Sequence, residues 1–507
     1  MIPCEVSSDL IRTTFRLFPT FASVMPKKYY IETYGCQMNV ADSEVVASIL
    51  SDAGYSPSVS IDDADIILVN TCSIRENAEQ RVWGRLDLFR AQKKKRPQVI
   101  VGVLGCMAER LKEKLLESGK MVDIVAGPDA YRDLPMLVET AAAGNPAVNV
   151  LLSREETYAD ISPVRLGSNG VSAFISIMRG CNNMCAYCVV PYVRGAERSR
   201  DPESIIREAK EAFDMGFREV TLLGQNVNSY AWNGAVPEDE VTPAGLLKKI
   251  SDQHSGHRFS NLVNGLTAPD RYPLTGKQEP VNFAGLLEMV ASVHPELRVR
   301  YSTSHPKDLS DDVLEVMAGH NNICRHIHLP VQSGSSSVLK RMNRKYTREW
   351  YLGRVAAINR ILPGCTLSTD IIAGFCGETE EEHQETLSLM REAGFDFAYM
   401  FKYSERPGTK ASRKMKDDVP DEVKTRRLNE IIALQNEISA VSKKADTGQT
   451  FEVLVEGPAK KPAGAMTGRT SGNKVVVFRA SEVQPGDYVN VTVTRSTSAT
   501  LIGNLMT

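Results

Sequence analysis

Ile177-Met178-Arg179-Gly180-Cys181-Asn182-Asn183-Met184-Cys185-Ala186-Tyr187-Cys188 is the segment that most constrains the fold and chemistry of this chain. Its cysteines have the spacing Cys-x3-Cys-x2-Cys, and thiolates are the usual ligands of iron–sulfur clusters. The next cysteine is Cys324, whereas a structural zinc site or a plain electron-transfer cluster normally has a fourth protein ligand. The segment therefore predicts a [4Fe–4S] cluster with one open iron, where a cofactor can bind, and hence a redox enzyme.

The composition is that of a multidomain globular protein without a membrane partner. A chain of 507 residues predicts two to four domains. The formal charge is -2, so nucleic-acid binding requires a local basic patch. Ten cysteines are too few for a disulfide scaffold, and their short motifs are typical of metal ligands in a reducing compartment. No apolar run approaches the roughly 18 residues that a membrane helix needs.

Cysteines also follow three predicted strands in the first third of the chain. Apolar runs at 28–33, 65–70 and 98–104 predict strands, and helical periodicity follows them at 43–53, 75–91 and 109–118. This alternation is typical of a parallel, helix-covered sheet. Cys36, Cys72 and Cys106 come just past those strands, where ligands bind in open α/β sheets. They predict a second three-thiolate site; alternatively, each is a small buried residue at a strand end.

Alternating strands and helices resume from about 170 to 435. Six strands are predicted, at 173–178, 219–223, 298–302, 326–329, 366–372 and 396–401. They predict an incomplete barrel with its functional loops at the carboxyl ends of the strands, where the Cys181–Cys188 segment lies. Residues 233–280 interrupt this pattern, and we interpret them as a flexible insertion.

The chain changes character after about residue 443. Short alternating runs at 451–455, 474–478, 487–494 and 500–502 predict a small antiparallel β-barrel. Five basic residues lie in or beside its turns: Lys460, Lys461, Arg469, Lys474 and Arg479. They form either a phosphate-contacting surface or a merely solvated face.

Several motifs together resemble the radical S-adenosylmethionine (SAM) methylthiotransferases, and among them the MiaB-type enzymes that modify tRNA. The similar segments, from about residue 28 to 505, are the cluster run at 181–188, Tyr34-Gly35-Cys36-Gln37-Met38-Asn39, Asn70-Thr71-Cys72-Ser73-Ile74-Arg75, Leu222-Leu223-Gly224-Gln225-Asn226-Val227-Asn228, and His328-Leu329-Pro330-Val331-Gln332-Ser333-Gly334-Ser335. The carboxy-terminal Gly468-Arg469-Thr470 is similar to the TRAM domain, a small RNA-binding β-barrel. Cys376 and the 233–280 insertion look most like the animal mitochondrial branch, whose members were also described as inhibitors of a cyclin-dependent kinase activator.

The resemblance implies an α/β fold class with a Rossmann-like amino-terminal domain, a partial (β/α)6 radical SAM barrel and a carboxy-terminal antiparallel β-barrel. The implied domains are a methylthiotransferase amino-terminal domain at 27–145, the radical SAM core at 167–440 and a TRAM domain at 441–507. Residues 1–26 are predicted to be a leader, either a mitochondrial presequence or a disordered segment. We expect a mitochondrial location, with the cytoplasm as the alternative.

The resemblance also implies two [4Fe–4S] clusters and SAM. Cys181, Cys185 and Cys188 would hold the radical SAM cluster, and Cys36, Cys72 and Cys106 the auxiliary cluster that carries the sulfur to be installed. The SAM contacts implied are Gly224, Gln225, Gln332 and Ser333. No catalytic residue beyond the cluster ligands is implied.

The function implied is that of a tRNA-2-methylthio-isopentenyladenosine synthase, acting at C2 of isopentenyladenosine next to the anticodon, in mitochondrial tRNAs. The alternatives are a sibling methylthiotransferase acting on threonylcarbamoyladenosine and a non-catalytic regulator of a cyclin-dependent kinase activator. The implied partners are the tRNA anticodon arm and an electron donor such as a ferredoxin or flavodoxin, and we expect a monomer.

Overall fold

The computed structural model of the protein describes residues 27–506 except for 73–75, 118, 120, 167–168, 234–279, 481 and 498. The predicted leader and nearly all of the predicted insertion therefore lie outside the described residues. Within the described ranges, no helix is both long enough and apolar enough to cross a bilayer.

The amino-terminal unit is a parallel sheet covered by helices. Its strands have the spatial order β2-β1-β3-β4-β5-β6 and are β1 (Lys28–Tyr34), β2 (Ser56–Pro57), β3 (Ile66–Thr71), β4 (Ile100–Gly105), β5 (Ile124–Ala126) and β6 (Ala147–Asn149). Its helices are α1 (Gln37–Asp52), α2 (Glu76–Lys95), α3 (Cys106–Leu111), α4 (Lys114–Glu117) and α5 (Leu134–Ala142). The central strands β3 and β4 are buried along their whole length, as expected for strands covered by helices on both faces.

Helix α1 begins earlier than its predicted start at residue 43. It begins at Gln37, directly after Cys36, and its first two turns bury the polar residues Asn39, Asp42 and Glu44. These polar residues interrupt the apolar periodicity from which the helix was predicted. Helix α3 likewise begins at Cys106 instead of 109. The first and third cysteines therefore lie at junctions between a strand and a helix.

The central unit is an arc of six parallel strands with helices outside. The six strands of the arc are β7 (Ser172–Ser176), β10 (Glu219–Leu223), β13 (Arg298–Ser302), β14 (His326–His328), β15 (Thr366–Ala373) and β16 (Phe397–Lys402). The unit also has two short antiparallel pairs, β8 (Met178–Arg179) with β9 (Arg198–Ser199) and β11 (Ala231–Trp232) with β12 (Val281–Asn282). The described helices are α6 (Val190–Arg194), α7 (Pro202–Asp214), α8 (Phe283–Ala291), α9 (Asp311–Gly319), α10 (Ser336–Arg341), α11 (Arg348–Ile361), α12 (Glu380–Ala393), α13 (Lys410–Lys414) and α14 (Asp421–Ala445).

The arc consists of two parallel sheets, β13-β10-β7 and β14-β15-β16, with a backbone bridge between Val299 and Ile323 beside their junction. One continuous core fills the space between these strands and their helices. The predicted partial (β/α)6 barrel is confirmed.

The carboxy-terminal unit is a closed five-stranded barrel. Its strands have the order β17-β18-β19-β21-β20 and are β17 (Thr450–Pro458), β18 (Ala465–Thr470), β19 (Val475–Arg479), β20 (Tyr488–Ser496) and β21 (Leu501–Leu505). Strand β18 was not predicted, because Gly468 and its small or polar neighbours have low strand propensity. The pair β19 and β21 is parallel, so the barrel is not antiparallel throughout as the sequence predicted.

The two outer units lie at opposite ends of the central barrel. At the carboxyl ends of β7 and β10, Phe174 and Leu223 pack against Met38 of α1. At the amino ends, Arg298 donates a hydrogen bond of 2.9 Å to the carbonyl of Arg469 in the terminal barrel. The cysteine-bearing loops therefore meet at one end of the barrel, which we call the mouth.

Candidate metal centres at the barrel mouth

The three cysteines of the amino-terminal sheet come together at its carboxyl edge. Cys36 follows β1, Cys72 follows β3, and Cys106 follows β4. The thiols of Cys36 and Cys72 are hydrogen bonded to each other, and Cys36 and Cys106 are close enough for the charge of one to affect the other. Cys72 and Cys106 are only 1% and 2% exposed. The structure thus assembles the thiol trio that the sequence predicts, which we call the sheet trio.

Two glycines allow the loops of the sheet trio to approach one another. Gly35 has φ +137°, and a Cβ atom there would lie 2.5 Å from the Cβ of Cys72. Gly105 has φ +85°, and a side chain there would overlap the amide oxygen of Asn70. Because these conformations and contacts exclude larger residues, glycine is required at both positions.

A pair of buried amides connects the first two loops. Asn39 Nδ2 donates to Asn70 Oδ1 at 3.1 Å, and Asn70 Nδ2 donates back to the carbonyl of Asn39 at 3.1 Å. Asn70 also donates to Ser43 Oγ at 3.0 Å, and the Cys36 thiol donates to Asn39 Oδ1 at 3.1 Å. The amide pair therefore fixes the loops that carry Cys36 and Cys72 relative to each other.

The thiols of the sheet trio differ in acidity. The hydrogen bond with Cys72 lowers the pKa of Cys36 to about 6, against the opposing effect of burial, and the Arg194 guanidinium acts in the same direction. Burial raises the pKa of Cys106, although Arg194 opposes this effect. A nearby cation favours the thiolate form that binds metal.

The second trio lies in the loop between β8 and α6. The Cys181 amide donates to the carbonyl of Gly195 at 3.1 Å, and the Cys188 amide donates to that of Cys185 at 3.1 Å. Gly180 has φ +78°, and a side chain there would overlap the carbonyl of Ala196. The three thiols, which we call the loop trio, are close enough for each charge to affect the others.

Burial governs the acidity of the loop trio. It raises the pKa of Cys181 to about 11 and that of Cys188 to about 12. Arg344 donates from Nη1 to the Cys185 sulfur at 3.4 Å and from Nη2 to the Pro330 carbonyl at 2.9 Å. Buried thiols beside a fixed guanidinium suit a group that displaces the thiol protons on binding.

Several polar atoms at the mouth lack partners among the described residues. Ser176 Oγ, Gln225 Oε1, both side-chain polar atoms of Asn228, and Ser304 Oγ are buried without a hydrogen bond. They follow or end β7, β10 and β13. Buried polar groups are nearly always satisfied, so this set fits a polar ligand bound above the strand ends. Only Gln225 was predicted; the other three are missed because single serines and asparagines in loops give no distinctive sequence signal.

The other predicted SAM contacts have different surroundings. Gly224 follows β10, where a Cβ would lie 2.6 Å from the Met178 side chain. Gln332 has φ +71° and is 7% exposed, and its backbone N–H donates to the Asp370 carbonyl at 2.8 Å. Ser333 is fully buried, with its hydroxyl 3.3 Å from that of Thr386 on α12. Ser333 is thus already hydrogen bonded within the protein.

An open cleft of about 380 Å³ adjoins the loop trio. Its lining residues are Asn182, Asn183, Met184, Glu197, Lys307, Asn343 and Lys345. Lys307 is paired with Asp308 at 2.5 Å, whereas Lys345 is exposed and makes no ion pair within the described ranges. The cleft therefore presents polar and charged side chains beside the loop trio.

The five basic residues of the terminal barrel divide into two groups. Lys460, Lys461 and Arg479 are exposed, and no ion pair of theirs occurs in the part of the chain that the structure describes. Arg469 pairs with Glu456 at 2.8 Å, and Lys474 pairs with Asp446 at 2.7 Å. The first group is therefore available to phosphate, while Lys474 connects the terminal barrel to the end of α14.

Another cluster with metal-type side chains lies outside the mouth. Glu380, His383 and Glu430 approach one another between α12 and α14. His383 Nε2 lies 2.7 Å from Glu430 Oε2, and Arg426 pairs with both glutamates. Arg427 also pairs with Glu380, at 3.2 Å, so two arginines already engage the carboxylates and we interpret this cluster as an ion-pair network.

Family comparisons cover most of the chain. The model of the Uncharacterized protein family UPF0004 matches residues 28–127, that of the Radical SAM superfamily matches 175–390, and that of the TRAM domain matches 444–506.

Bacterial proteins of one name are similar over nearly the whole chain. A "tRNA-2-methylthio-N(6)-dimethylallyladenosine synthase" of Amoebophilus asiaticus is 54% identical over 482 residues, which are 95% of this chain and 93% of that protein. Proteins of the same name from Phocaeicola vulgatus and Chloroherpeton thalassium are 55% and 52% identical, each over 94% of this chain and over 95% and 96% of their own lengths. These relatives are bacterial and do not support the predicted animal mitochondrial branch.

Among solved structures, the radical SAM methyltransferase TsrM from Kitasatospora setae has a similar fold. Its structure with tryptophan substrate and a SAM analog superposes with a TM-score of 0.52 at 12% identity, over 76% of this chain and 75% of that chain. At this identity the likeness concerns the fold alone.

Proposed function

This chain belongs to the MiaB-type radical SAM tRNA methylthiotransferases, and we propose from this membership that it methylthiolates C2 of N6-dimethylallyladenosine (isopentenyladenosine) next to the anticodon. It is an enzyme, and the cofactors of its family are SAM and [4Fe–4S] clusters. The closely similar relatives carry the substrate assignment, because a likeness in fold alone would leave the substrate open.

The observation that carries this proposal is the meeting of two thiol trios at one barrel mouth. Cys106 of the sheet trio packs against Val189 and Val193, which flank and belong to the helix after the loop trio. On the other side, Cys36 packs with Phe174 and Leu223 of the barrel strands. Two adjoining three-thiolate sites suit a reaction in which one site initiates and the other supplies sulfur.

We assign one [4Fe–4S] cluster to each trio, with Cys181, Cys185 and Cys188 as ligands of the radical SAM cluster and Cys36, Cys72 and Cys106 as ligands of the auxiliary cluster. Together, SAM and its cluster supply radical chemistry that acts on an aromatic C–H bond, which a side-chain base could not usefully deprotonate. Four of the six thiols, two in each trio, are buried, which limits the access of water to the reacting groups.

Polar side chains at the strand ends would orient SAM. Gln225, Asn228 and Ser304 present buried atoms without partners there, and they suit the amino, carboxylate and hydroxyl groups of that molecule. At Gly224 the Met178 side chain fills the space that a Cβ would take, so only the backbone of this residue can contact the ligand. Gln332 follows β14 and forms a backbone bridge with Ile371 of β15. Ser333 is a weaker candidate because Thr386 already engages its hydroxyl.

The tRNA would contact both ends of the barrel. The target base must leave its stack to reach the mouth, and Lys345 lies in the cleft beside the loop trio. Lys460, Lys461 and Arg479 offer phosphate contacts on the terminal barrel at the opposite end. The barrel strands β13 and β15 are five and eight residues long, about 17–26 Å, a length that a folded RNA arm can bridge.

The two RNA surfaces can be tested by the salt dependence of tRNA binding. Lys345→Ala and Lys461→Ala should each reduce the slope of log K against log salt by about one unit for a lost phosphate contact. The control is Lys114→Ala, an exposed lysine on α4 of the amino-terminal unit. An unchanged slope for both variants would remove these surfaces from the proposal.

The cluster assignments can be tested by separating the two halves of the reaction. Reconstituted protein should hold about eight irons per chain, and Cys36→Ser and Cys181→Ser should each hold about four. Cys36→Ser should still cleave SAM under reducing conditions without methylthiolating tRNA, whereas Cys181→Ser should do neither. Full iron content in either variant would contradict its assignment.

The substrate can be tested in cells that lack the protein. Their tRNA should lose 2-methylthio-isopentenyladenosine and retain the unmodified isopentenyl form, as read by nucleoside mass spectrometry. Loss of methylthio-threonylcarbamoyladenosine instead would identify the sibling activity.

We further propose that residues 27–145, 167–440 and 441–507 are the three domains, that the enzyme is a monomer, and that a ferredoxin or flavodoxin supplies electrons.

We also propose a mitochondrial location, on the basis of the Arg-, Thr- and Phe-containing stretch at residues 10–18. Fusion of residues 1–40 to a fluorescent protein tests this location, and diffuse cytoplasmic fluorescence would contradict it.

A further inference from the structure

Arg194, the last residue of α6, extends from the central barrel into the sheet trio. It is 3% exposed, and its Nε donates to the Cys106 sulfur at 3.2 Å. Its Nη2 donates to Asp42 Oδ2 at 2.7 Å. Its Nη1 is buried and has no hydrogen-bond partner among the described residues. One face of this guanidinium is therefore satisfied, and one N–H group is not.

The charges around Arg194 do not balance. Asp42 pairs with Arg179 at 2.8 Å and with Arg194 at 2.7 Å. Asp129 pairs with Arg198 at 2.8 Å and lies 3.5 Å from Arg179. Three guanidinium groups thus share two carboxylates, and four of these five side chains are less than 5% exposed while Arg198 is 5% exposed. Since buried charges are normally paired, the network leaves one positive charge for an anion.

That anion belongs beside the sheet trio. The donor set already includes one bond to a candidate ligand sulfur, that of Cys106. An unsatisfied N–H next to a thiolate site fits an acceptor sulfur of the bound group. The alternative, a purely structural arginine, accounts for the bond to Asp42 but leaves Nη1 without a role.

We propose that Arg194 is a positioning residue for the auxiliary cluster, donating from Nε to the Cys106 thiolate and from Nη1 to another sulfur of that cluster. This inference rests on the proposed function, which places a cluster at the sheet trio. Hydrogen bonds and positive charge at the sulfurs favour the more negative, reduced state, so Arg194 raises the reduction potential of the auxiliary cluster.

The arrangement also connects the two cluster sites physically. Helix α6 begins two residues after Cys188, packs Val193 against Cys106, and ends at Arg194. Correct placement of the guanidinium therefore depends on the same helix that closes the loop trio.

The test is an EPR-monitored redox titration of reconstituted full-length protein. Added SAM changes the signal of the radical SAM cluster and so separates it from that of the auxiliary cluster. Arg194→Gln should keep about eight irons and shift the auxiliary reduction equilibrium about tenfold towards the oxidised state, which is about 59 mV for one electron. Arg194→Lys, which keeps the charge but not the fork of donors, should shift it less.

The matched control is Arg198→Gln, which removes a buried guanidinium from the same network without touching a cysteine among the described residues. Because it removes a charge of the network but no donor to the cluster sulfurs, its auxiliary potential should shift less than that of Arg194→Gln. An unchanged potential in Arg194→Gln with full iron content overturns the inference, and so does an equal shift in Arg198→Gln. If Arg194→Gln loses iron, the test passes to Arg194→Lys. Full iron content in Arg194→Lys with an auxiliary potential below that of the wild type supports the inference, and a wild-type potential in this variant overturns it. A wild-type protein with only one cluster would instead refute the proposed function.

Discussion

Asn70 shows how one buried side chain organises a metal site without being a ligand. It is fully buried and precedes Cys72 by two residues. Its Oδ1 accepts a hydrogen bond from Asn39 Nδ2, and its Nδ2 donates one to the Asn39 backbone carbonyl. Asn39 Oδ1 in turn accepts a hydrogen bond from the Cys36 thiol. The geometry of two candidate ligands thus depends on a pair of amides between them.

Asn70→Ala should destabilise the amino-terminal unit and weaken its retention of iron. The substitution leaves the buried Nδ2 of Asn39 without the acceptor that Asn70 provides, at a cost of about 1–3 kcal/mol. Urea unfolding of the metal-free protein measures the loss, and iron analysis after reconstitution should fall towards one cluster. The exposed Asn145→Ala should stay within about 0.5 kcal/mol of wild type. Equal stability of the two variants would refute the role of Asn70.

At this scale the sequence predicts ligands better than their supports. Both thiol trios were predicted from spacing and from strand ends, because these signals are local. The bonds of Asn70 to Asn39 and of Arg194 to Cys106 join residues 31 and 88 positions apart. No local pattern contains such pairs, and the unpartnered atoms of Asn228 and Ser304 become visible only in the folded chain.

At the scale of single elements, tight junctions between strands and helices bring the thiols of the sheet trio together. Strand β4 ends at Gly105, and α3 begins at the next residue, Cys106. A longer connection would move that thiol away from the sheet edge. The left-handed conformation of Gly105 is what makes the immediate turn possible.

Gly105→Ala should therefore cost more than a glycine substitution at an equivalent backbone angle. Gly105 and Gly144 have φ values of +85° and +86°, so each alanine costs at least about 1–2 kcal/mol of backbone strain, and the ψ of −154° at Gly105 increases its cost. Only at position 105 does the new Cβ overlap another residue, Asn70, which adds about 1–3 kcal/mol. Chemical unfolding compares the two variants, and iron analysis should show loss of the auxiliary cluster in Gly105→Ala alone. Equal destabilisation would show that the overlap has no consequence.

The start of α12 carries a pH-dependent contribution to stability. Although burial opposes it, hydrogen bonds from Arg341, Ser337 and the Thr379 backbone hold the pKa of Glu382 at about 2. Because the folded-state pKa is depressed below its usual 4.5, the stabilisation is complete above about pH 4.5 and is lost as the pH falls towards 2.

Glu382→Gln should accordingly lose on the order of 2 kcal/mol at neutral pH, the value of hydrogen bonds to a charged group. The difference from wild type in unfolding free energy should shrink between pH 4.5 and 2. Glu381→Gln, at an exposed neighbouring position without an ion pair in the described part of the chain, should show no such trend. A difference that is constant with pH would contradict the assignment.

Elements of the barrel were easier to predict than those at its two ends. Each of the six barrel strands contributes apolar residues to the central core, and the predicted bounds agree with the structure within a few residues. The short strands β2, β5 and β6 and the glycine-containing β18 were not predicted, since two or three residues carry no period. Pairing in the sheet, and not local propensity, stabilises these strands.

For the whole molecule, the decisive arrangement is the order of three units along the barrel axis. The amino-terminal sheet packs against the mouth through Met38, Cys36 and Cys106, and the terminal barrel contacts the amino ends of the strands. Arg298, Arg300 and Thr366 at the amino ends of the strands all donate to backbone carbonyls of the terminal barrel. An RNA held there is thus presented to chemistry at the opposite end.

The most direct measurement is an anaerobic reaction of the reconstituted enzyme with SAM, dithionite and isopentenylated tRNA, followed by nucleoside mass spectrometry. The two-site architecture predicts 2-methylthio-isopentenyladenosine from wild-type protein, and none from Cys36→Ser or Cys181→Ser. A methylthiolated product from the Cys36→Ser variant, or an unmodified isopentenyladenosine from the fully loaded wild-type enzyme, would contradict the account.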